Sequence, residues 1–159
     1  SAVPLLYKAG ESLSYIDQDG NTPLSLACTF NKIDTIRFIC EHLDNVDIED
    51  SPNAKDYAVH WICRTRDPEE CRIVLRKGIN VNKLDSKGFT GIHYAIDCAT
   101  PEQLQDIIDQ LINAGLCLDS SLLPPNQRPK KSVLAELKSS IYKNRYSGLI
   151  NWLISKGAK

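Results

Sequence analysis

The sequence predicts an all-α solenoid: stacked antiparallel helix pairs joined by short hairpin-like fingers. Three observations carry this reading. Aspartates at Asp17, Asp50, Asp85 and Asp119 recur at steps of 33, 35 and 34 residues, a period characteristic of repeat architectures. Two of them open closely similar strings, Asp17-Gln18-Asp19-Gly20-Asn21-Thr22-Pro23-Leu24-Ser25-Leu26-Ala27 and Asp85-Ser86-Lys87-Gly88-Phe89-Thr90-Gly91-Ile92-His93-Tyr94-Ala95. After each string comes a second segment whose apolar residues recur at helical spacing.

Each element follows from its residues. Asp and Gly three apart favour a tight turn, and Gly tolerates a positive φ there. Thr22 and Thr90 stand where a helix N-cap belongs. Pro23 takes the first helical position, where a missing N–H costs nothing. Ala27 and Ala95 are small enough for close helix packing. The second helix of unit one carries the stripe Ile33, Ile36, Phe38, Ile39, Cys40 and Leu43. In unit two, Pro68 opens a helix with Glu69 and Glu70 in its first turn, a favourable place for negative charge. That helix continues through Cys71, Ile73, Val74 and Leu75 to Lys77-Gly78, a basic last turn and a C-cap. In unit three, Pro101 starts a helix with the stripe Leu104, Ile107, Ile108, Leu111 and Ile112, and Gly115 ends it.

These strings resemble the ankyrin repeat family, whose unit of about 33 residues carries T-P-L-H-x-A. The match is Asp17, Gly20, Thr22, Pro23, Leu24 and Ala27 in unit one, and Asp85, Gly88, Thr90, Ile92, His93, Ala95 and Gly115 in unit three. Unit two contributes Asp50, Val59, His60 and Gly78, then Asn80-Val81-Asn82. Leu5-Leu6-Tyr7-Lys8-Ala9-Gly10 and Trp152-Leu153-Ile154-Ser155-Lys156-Gly157-Ala158 read as second-helix endings. The resemblance implies a single domain over residues 1–159. It comprises a partial unit at 1–16, units at 17–49, 50–84 and 85–118, and a divergent last unit at 119–159. Unit two lacks the Thr-Pro pair and has a longer turn, Ser51 to Lys55. Thr90 to Ser132 spans 42 residues, so about nine are extra to the repeat, placing an inserted loop near 122–131. The chain starts and stops within a unit, and no methionine occurs. Both features lead us to expect a processed chain or a piece of a longer one.

Composition narrows the function classes. The chain holds 19 basic and 20 acidic residues, net charge -1, so no overall field draws nucleic acid or anionic membrane. The balance hides blocks: -5 over 17–49, +2 over 50–84, -5 over 85–119 and +7 over 120–159. The basic quarter supports a second reading, binding of RNA or an anionic surface. Tyr142, Tyr146 and Trp152 would be its stacking residues, but helical spacing puts Trp152 in the packed stripe. A third reading is a purely architectural segment of a longer solenoid. No apolar run is long enough to span a membrane, and no signal-peptide pattern opens the chain. Cys28, Cys40, Cys63, Cys71, Cys98 and Cys117 lie among apolar residues. They are expected to be free thiols in a reducing intracellular compartment, cytoplasmic or nuclear.

No catalytic motif, phosphate loop or zinc spacing appears, so neither enzyme activity nor a cofactor or metal is expected. Cys40-Glu41-His42 and His60-x2-Cys63 contain metal-ligating types, but Cys40 lies on an apolar stripe. His60 and His93 take the position where the family bonds one repeat to the next. Leu123 to Lys131 holds three prolines without P-x-x-P and reads as a semi-rigid loop. The resemblance implies a non-catalytic protein–protein interaction scaffold, its partner held on a concave face of finger tips and first helices. Carried onto this sequence, that face is Gln18, Asp19, Asn21, Thr29 and Phe30; Ser51, Asn53, Lys55, Arg64 and Thr65; and Ser86, Lys87, Phe89, Asp97 and Cys98. Phe30 and Phe89 are the expected aromatic anchors; the alternatives are that Phe30 packs onto the next repeat and Phe89 braces its finger.

Overall fold

The computed structural model describes residues 7–10, 12–46, 57–65, 67–96, 100–139 and 144–159. Among them, regular structure is helical throughout. The inner helices are α1 (Pro23–Thr29), α3 (Ala58–Thr65), α5 (Ile92–Ile96) and α7 (Val133–Ser139). The outer helices are α2 (Ile33–His42), α4 (Pro68–Leu75), α6 (Pro101–Asn113) and α8 (Ser147–Ser155). Inner helices pack in the series α1, α3, α5, α7, and outer helices in the series α2, α4, α6. Within each unit, inner packs on outer, giving two layers built from neighbour contacts.

Local chemistry sets the boundaries. Thr22 and Ser25 form a capping box: Ser25 N–H donates to Thr22 Oγ1 at 3.0 Å and Thr22 N–H to Ser25 Oγ at 2.8 Å. At the other end of α1, Asn31 adopts φ 49°. Its N–H donates to Cys28 O at 3.1 Å and Lys32 N–H to Ala27 O at 2.9 Å, a Schellman ending that reverses the chain into α2. Thr100 and Gln103 make a second capping box on α6. Gly115, at φ 99°, closes that helix, and Leu116 N–H donates back to Leu111 O at 2.8 Å.

Two expectations need correction. Thr90 does not cap α5; its hydroxyl pairs with His93 Nδ1 at 2.9 Å, because the ring three residues on competes for it. The fingers of units one and three are tight hairpin-like turns, as expected, closed by Asp17 N–H to Asn21 O and Asp85 N–H to Phe89 O, both at 2.9 Å. Glu70 is not a solvated first-turn charge. Glu69 takes that role, pairing with Arg37 at 3.2 Å and with Arg72. Glu70 turns inward to 1% exposure, and its Oε2 has no hydrogen-bond partner. Burial pushes its carboxyl above the usual range, against a lowering hydrogen bond with Thr65.

The core runs between the layers through Ile36, Ile39, Ile62, Ile92, Ile107 and Leu137. Cys28, Cys40, Cys63 and Cys71 are buried in it as free thiols. Tyr146 is fully buried, and its hydroxyl donates to Ile96 O at 2.6 Å. No helix among the described residues is long and apolar enough to cross a membrane. Units two and three approach closely at Gly91, where a Cβ would lie 2.4 Å from Val59 O. Gly91→Ala is therefore expected to push α5 off α3 at a cost of about 1–3 kcal/mol. Denaturant unfolding should show a lower midpoint; an unchanged midpoint would contradict the packing.

Candidate functional site

The finger tips of units one and three are positioned by one carboxylate each. Asp17 Oδ1 accepts from Asp19 N–H at 2.9 Å and Asn21 N–H at 2.8 Å, while Oδ2 accepts from Asn21 Nδ2 at 3.0 Å. Those bonds from Asn21, backbone first, hold the Asp17 carboxyl below its usual range. Asp85 repeats the pattern, accepting from Lys87 N–H at 2.8 Å and Phe89 N–H at 2.9 Å, with the Tyr94 hydroxyl on its second oxygen. Burial alone would raise the Asp85 carboxyl. Bonds from Phe89, Tyr94 and Lys87 outweigh it, and the net shift is downward. Both fingers close by the same backbone pair, Gly20 N–H to Asp17 O at 3.1 Å and Gly88 N–H to Asp85 O at 3.0 Å.

With the loop backbone tied inward, Gln18, Asp19, Ser86 and Lys87 stand exposed at the tips. Asn21 is half-buried, engaged by Asp17. Thr29, Arg64 and Thr65 come together around one hollow of about 320 Å³, with Cys28, Asn31 and Trp61. Thr29 and Arg64 are exposed there. Thr65 is half-buried, and its hydroxyl donates to Ile62 O at 2.8 Å. Arg64 lies 4.0 Å over the Tyr94 ring, a cation–π contact linking units two and three. Phe30 is 65% exposed and lines a second, apolar groove beside Tyr15, Pro23 and Leu26. Phe89 is half-buried, with its ring 5.3 Å from His93; it braces its finger. Ser51, Asn53, Lys55, Asp97 and Cys98 lie outside the described residues. Sequence reasoning missed Trp61, Tyr94 and Leu26. All three occupy the fifth position counted from Thr22, Tyr57 and Thr90, and that shared slot was the signal available.

The histidines interlock the units. Tyr57 N–H donates to His60 Nδ1 at 3.1 Å, so Nε2 carries the proton and donates to Phe89 O at 3.1 Å. His93 repeats this across the insertion, its Nε2 bonding Lys131 O at 2.8 Å. Lys130 N–H donates to Gly88 O at 3.0 Å, seating the inserted loop on the third finger.

The titratable groups are held by structure. Burial pushes the Cys40 thiol up to about 11 and Cys71 up to about 12. Cys63 is also raised by burial, well above its ordinary value. These thiols are protonated at neutral pH, and a thiol is a poor nucleophile and ligand. Among the described residues no group of three or more His, Cys, Asp or Glu is placed to hold a metal ion. Several charges of the basic quarter have internal partners. Lys131 pairs with Glu136 at 3.0 Å and Lys159 with Asp119 at 2.8 Å. The Lys159 bond, with Ser121 second, brings the Asp119 carboxyl down to about 2. Arg128 donates to the carbonyls of Leu123 and Ser121 at 2.8 and 3.1 Å. Buried Tyr146 cannot stack on a base, Trp152 is half-buried, and Tyr142 lies outside the described residues.

Known proteins share this organisation. The family model described as Ankyrin repeat matches residues 19–57. The B-cell lymphoma 3 protein homolog of Mus musculus is 27% identical over 106 residues, covering 65% of this chain and 24% of that protein. The chain thus spans about a quarter of that curated relative's length. An ankyrin repeat domain from Acinetobacter baumannii AYE superposes with a TM-score of 0.74 at 22% identity. That superposition covers 99% of this chain and 76% of the other, a likeness of fold.

Asp85 offers a test of finger construction. Its carboxyl is lowered on folding, so it stabilises above the unfolded value and that contribution is lost as pH falls through the folded one. Asp85→Asn is expected to cost about 1–3 kcal/mol at neutral pH and to flatten the acid limb of stability against pH below about 4. Equal pH dependence in the two proteins would refute the assignment.

Proposed function

Because the chain belongs to the ankyrin repeat family, we propose that it is a non-catalytic protein-binding scaffold that engages its partner along the fingers and inner helices. Ankyrin repeats are generally protein–protein interaction modules. The observation that supports this placement is the paired construction of the fingers. Asp17 and Asp85 consume the loop amides, which leaves Gln18, Asp19, Ser86 and Lys87 exposed in rigid turns. Preorganised loops lose little entropy on binding. Next to them, Thr29 and Arg64 line a hollow with Trp61, and Arg is a frequent hot-spot type. In this reading Ser51, Asn53 and Lys55 extend the row through unit two, and Asp97 and Cys98 extend the inner-helix surface.

Two further points belong to the proposal. The free, buried thiols favour a reducing intracellular compartment. The internal pairing of Lys131, Lys159 and Arg128 favours a protein partner over RNA or an anionic surface. The test is affinity capture with the wild-type chain and with a Gln18→Ala, Asp19→Ala, Ser86→Ala, Lys87→Ala variant. The variant is expected to lose the partner while its stability changes by under about 0.5 kcal/mol. A partner retained by the variant would move the interface elsewhere.

A further inference from the structure

Between units one and two, the inner layer holds the hollow of about 320 Å³ lined by Cys28, Thr29, Asn31, Trp61, Arg64 and Thr65. That is the small end of the volumes ligand cavities span. Its acceptors and hydroxyl protons are largely engaged already. Thr29 donates to Ser25 O and Thr65 to Ile62 O, both at 2.8 Å. At the end of α1, Cys28 O accepts Asn31 N–H at 3.1 Å and Ala27 O accepts Lys32 N–H at 2.9 Å. Burial pushes the Cys28 thiol up, so it stays S–H and adds no negative charge.

What the hollow offers is donors. Trp61 is 8% exposed. Its indole N–H meets no acceptor among the described residues, yet it is not one of the sealed polar atoms that lack a partner. It is therefore open to solvent, and this hollow is the cavity of the described residues that Trp61 lines. Arg64 supplies charge. Its guanidinium lies 4.0 Å over the Tyr94 ring, and the Tyr94 hydroxyl donates to Asp85, which gathers the third finger. Arg64 is thus positioned from unit three onto a hollow of units one and two. A guanidinium stacked by its face presents its N–H groups in the plane, where a carboxylate accepts two at once. Asn31, exposed on its turn at φ 49°, brings a side-chain amide to the same hollow. The lining holds one cation and no acid; Asp17, Asp19 and Asp34 of the negative first block are not part of it. Glu70, hydrogen-bonded to Thr65, is 1% exposed, and burial favours its neutral form.

We propose that this hollow is a carboxylate subsite, taking one acidic side chain or the chain end of the partner protein. Arg64 pairs the two oxygens, and the Trp61 and Asn31 N–H groups complete their shell. The inference rests on the scaffold reading for the face used and adds what the partner sets there.

The indole N–H is itself the reporter. The full 159-residue chain holds two tryptophans, so its nitrogen–proton correlation spectrum carries two indole peaks, assigned with Trp152→Phe. Two probes are titrated into the millimolar range at constant ionic strength. Acetyl-glutamate α-amide presents a side-chain carboxylate, and acetyl-diglycine presents a chain end; acetyl-glutamine amide is the neutral control. At least one acid is expected to move the Trp61 peak saturably, and the control is expected to leave it in place. A response to the first probe assigns an acidic side chain, and a response to the second a chain end. Arg64→Gln is expected to weaken binding about tenfold or more. Arg64→Lys keeps the charge without the paired N–H groups and is expected to weaken it by a smaller factor. Arg64 stands in solvent, so both variants are expected to keep the dispersed wild-type spectrum. The proposal is overturned if neither acid moves the peak, if the neutral control moves it equally, or if Arg64→Gln binds as the wild type does. The Gln18→Ala, Asp19→Ala, Ser86→Ala, Lys87→Ala variant is expected to keep the response. Failure of the finger-tip interface and failure of this subsite are therefore read separately.

Discussion

The inner helices α1, α3 and α7 run seven or eight residues, below the length at which an isolated helix persists in water. They persist because their neighbours cover them, and the hydroxyls of Thr22 and Ser132 cap the starts of α1 and α7. This one requirement, that no inner helix stand alone, shapes the rest. It explains why Ala58 and Ile62 lose all solvent contact and why the third unit carries Gly at position 91, where any side chain would strike Val59.

Hydrogen bonding supplies the register that apolar packing lacks. Hydrophobic contact is non-directional, whereas a buried carboxylate or imidazole accepts or donates along fixed directions. Asp17 and Asp85 each gather the amides of their own turn. His60 and His93 then each reach one unit forward, to the carbonyls of Phe89 and Lys131. The last unit looks divergent, with its insertion and altered first helix. It preserves the interlock because the acceptor is a backbone carbonyl, which any residue supplies. The insertion is thereby stitched to the third finger at Gly88 and Lys131.

Charge is arranged by the same economy. The +7 of the last quarter is partly spent internally, on Glu136, Asp119 and the carbonyls of the inserted loop. Exposed pairs of this kind contribute little stability; their effect here is to reduce the field a polyanion would meet. Glu70 is the exception to tidy electrostatics. Its carboxyl is buried, incompletely bonded and raised by burial, and no contact in the structure explains its presence.

Local chemistry was readable from the residues themselves. The period of Asp17, Asp50, Asp85 and Asp119, the Thr22-Pro23 start, the helix stop at Gly115 and the apolar stripes are short-range signals, each contained within a few turns of chain. They determined the helix order and the family resemblance, and the resemblance in turn implied the bridging place of His60 and His93. Tertiary packing decided the rest, because exposure depends on what another unit brings opposite a side chain. Phe30 and Phe89 look equivalent as aromatic candidates, yet one is exposed beside the groove on α1 and the other is folded against His93. Glu69 and Glu70 are adjacent first-turn acids, yet helical rotation sends one to solvent and the other beneath the stack. Leu26 and Trp61 share one slot, and the first lines a groove while the second, behind α1, is a core residue.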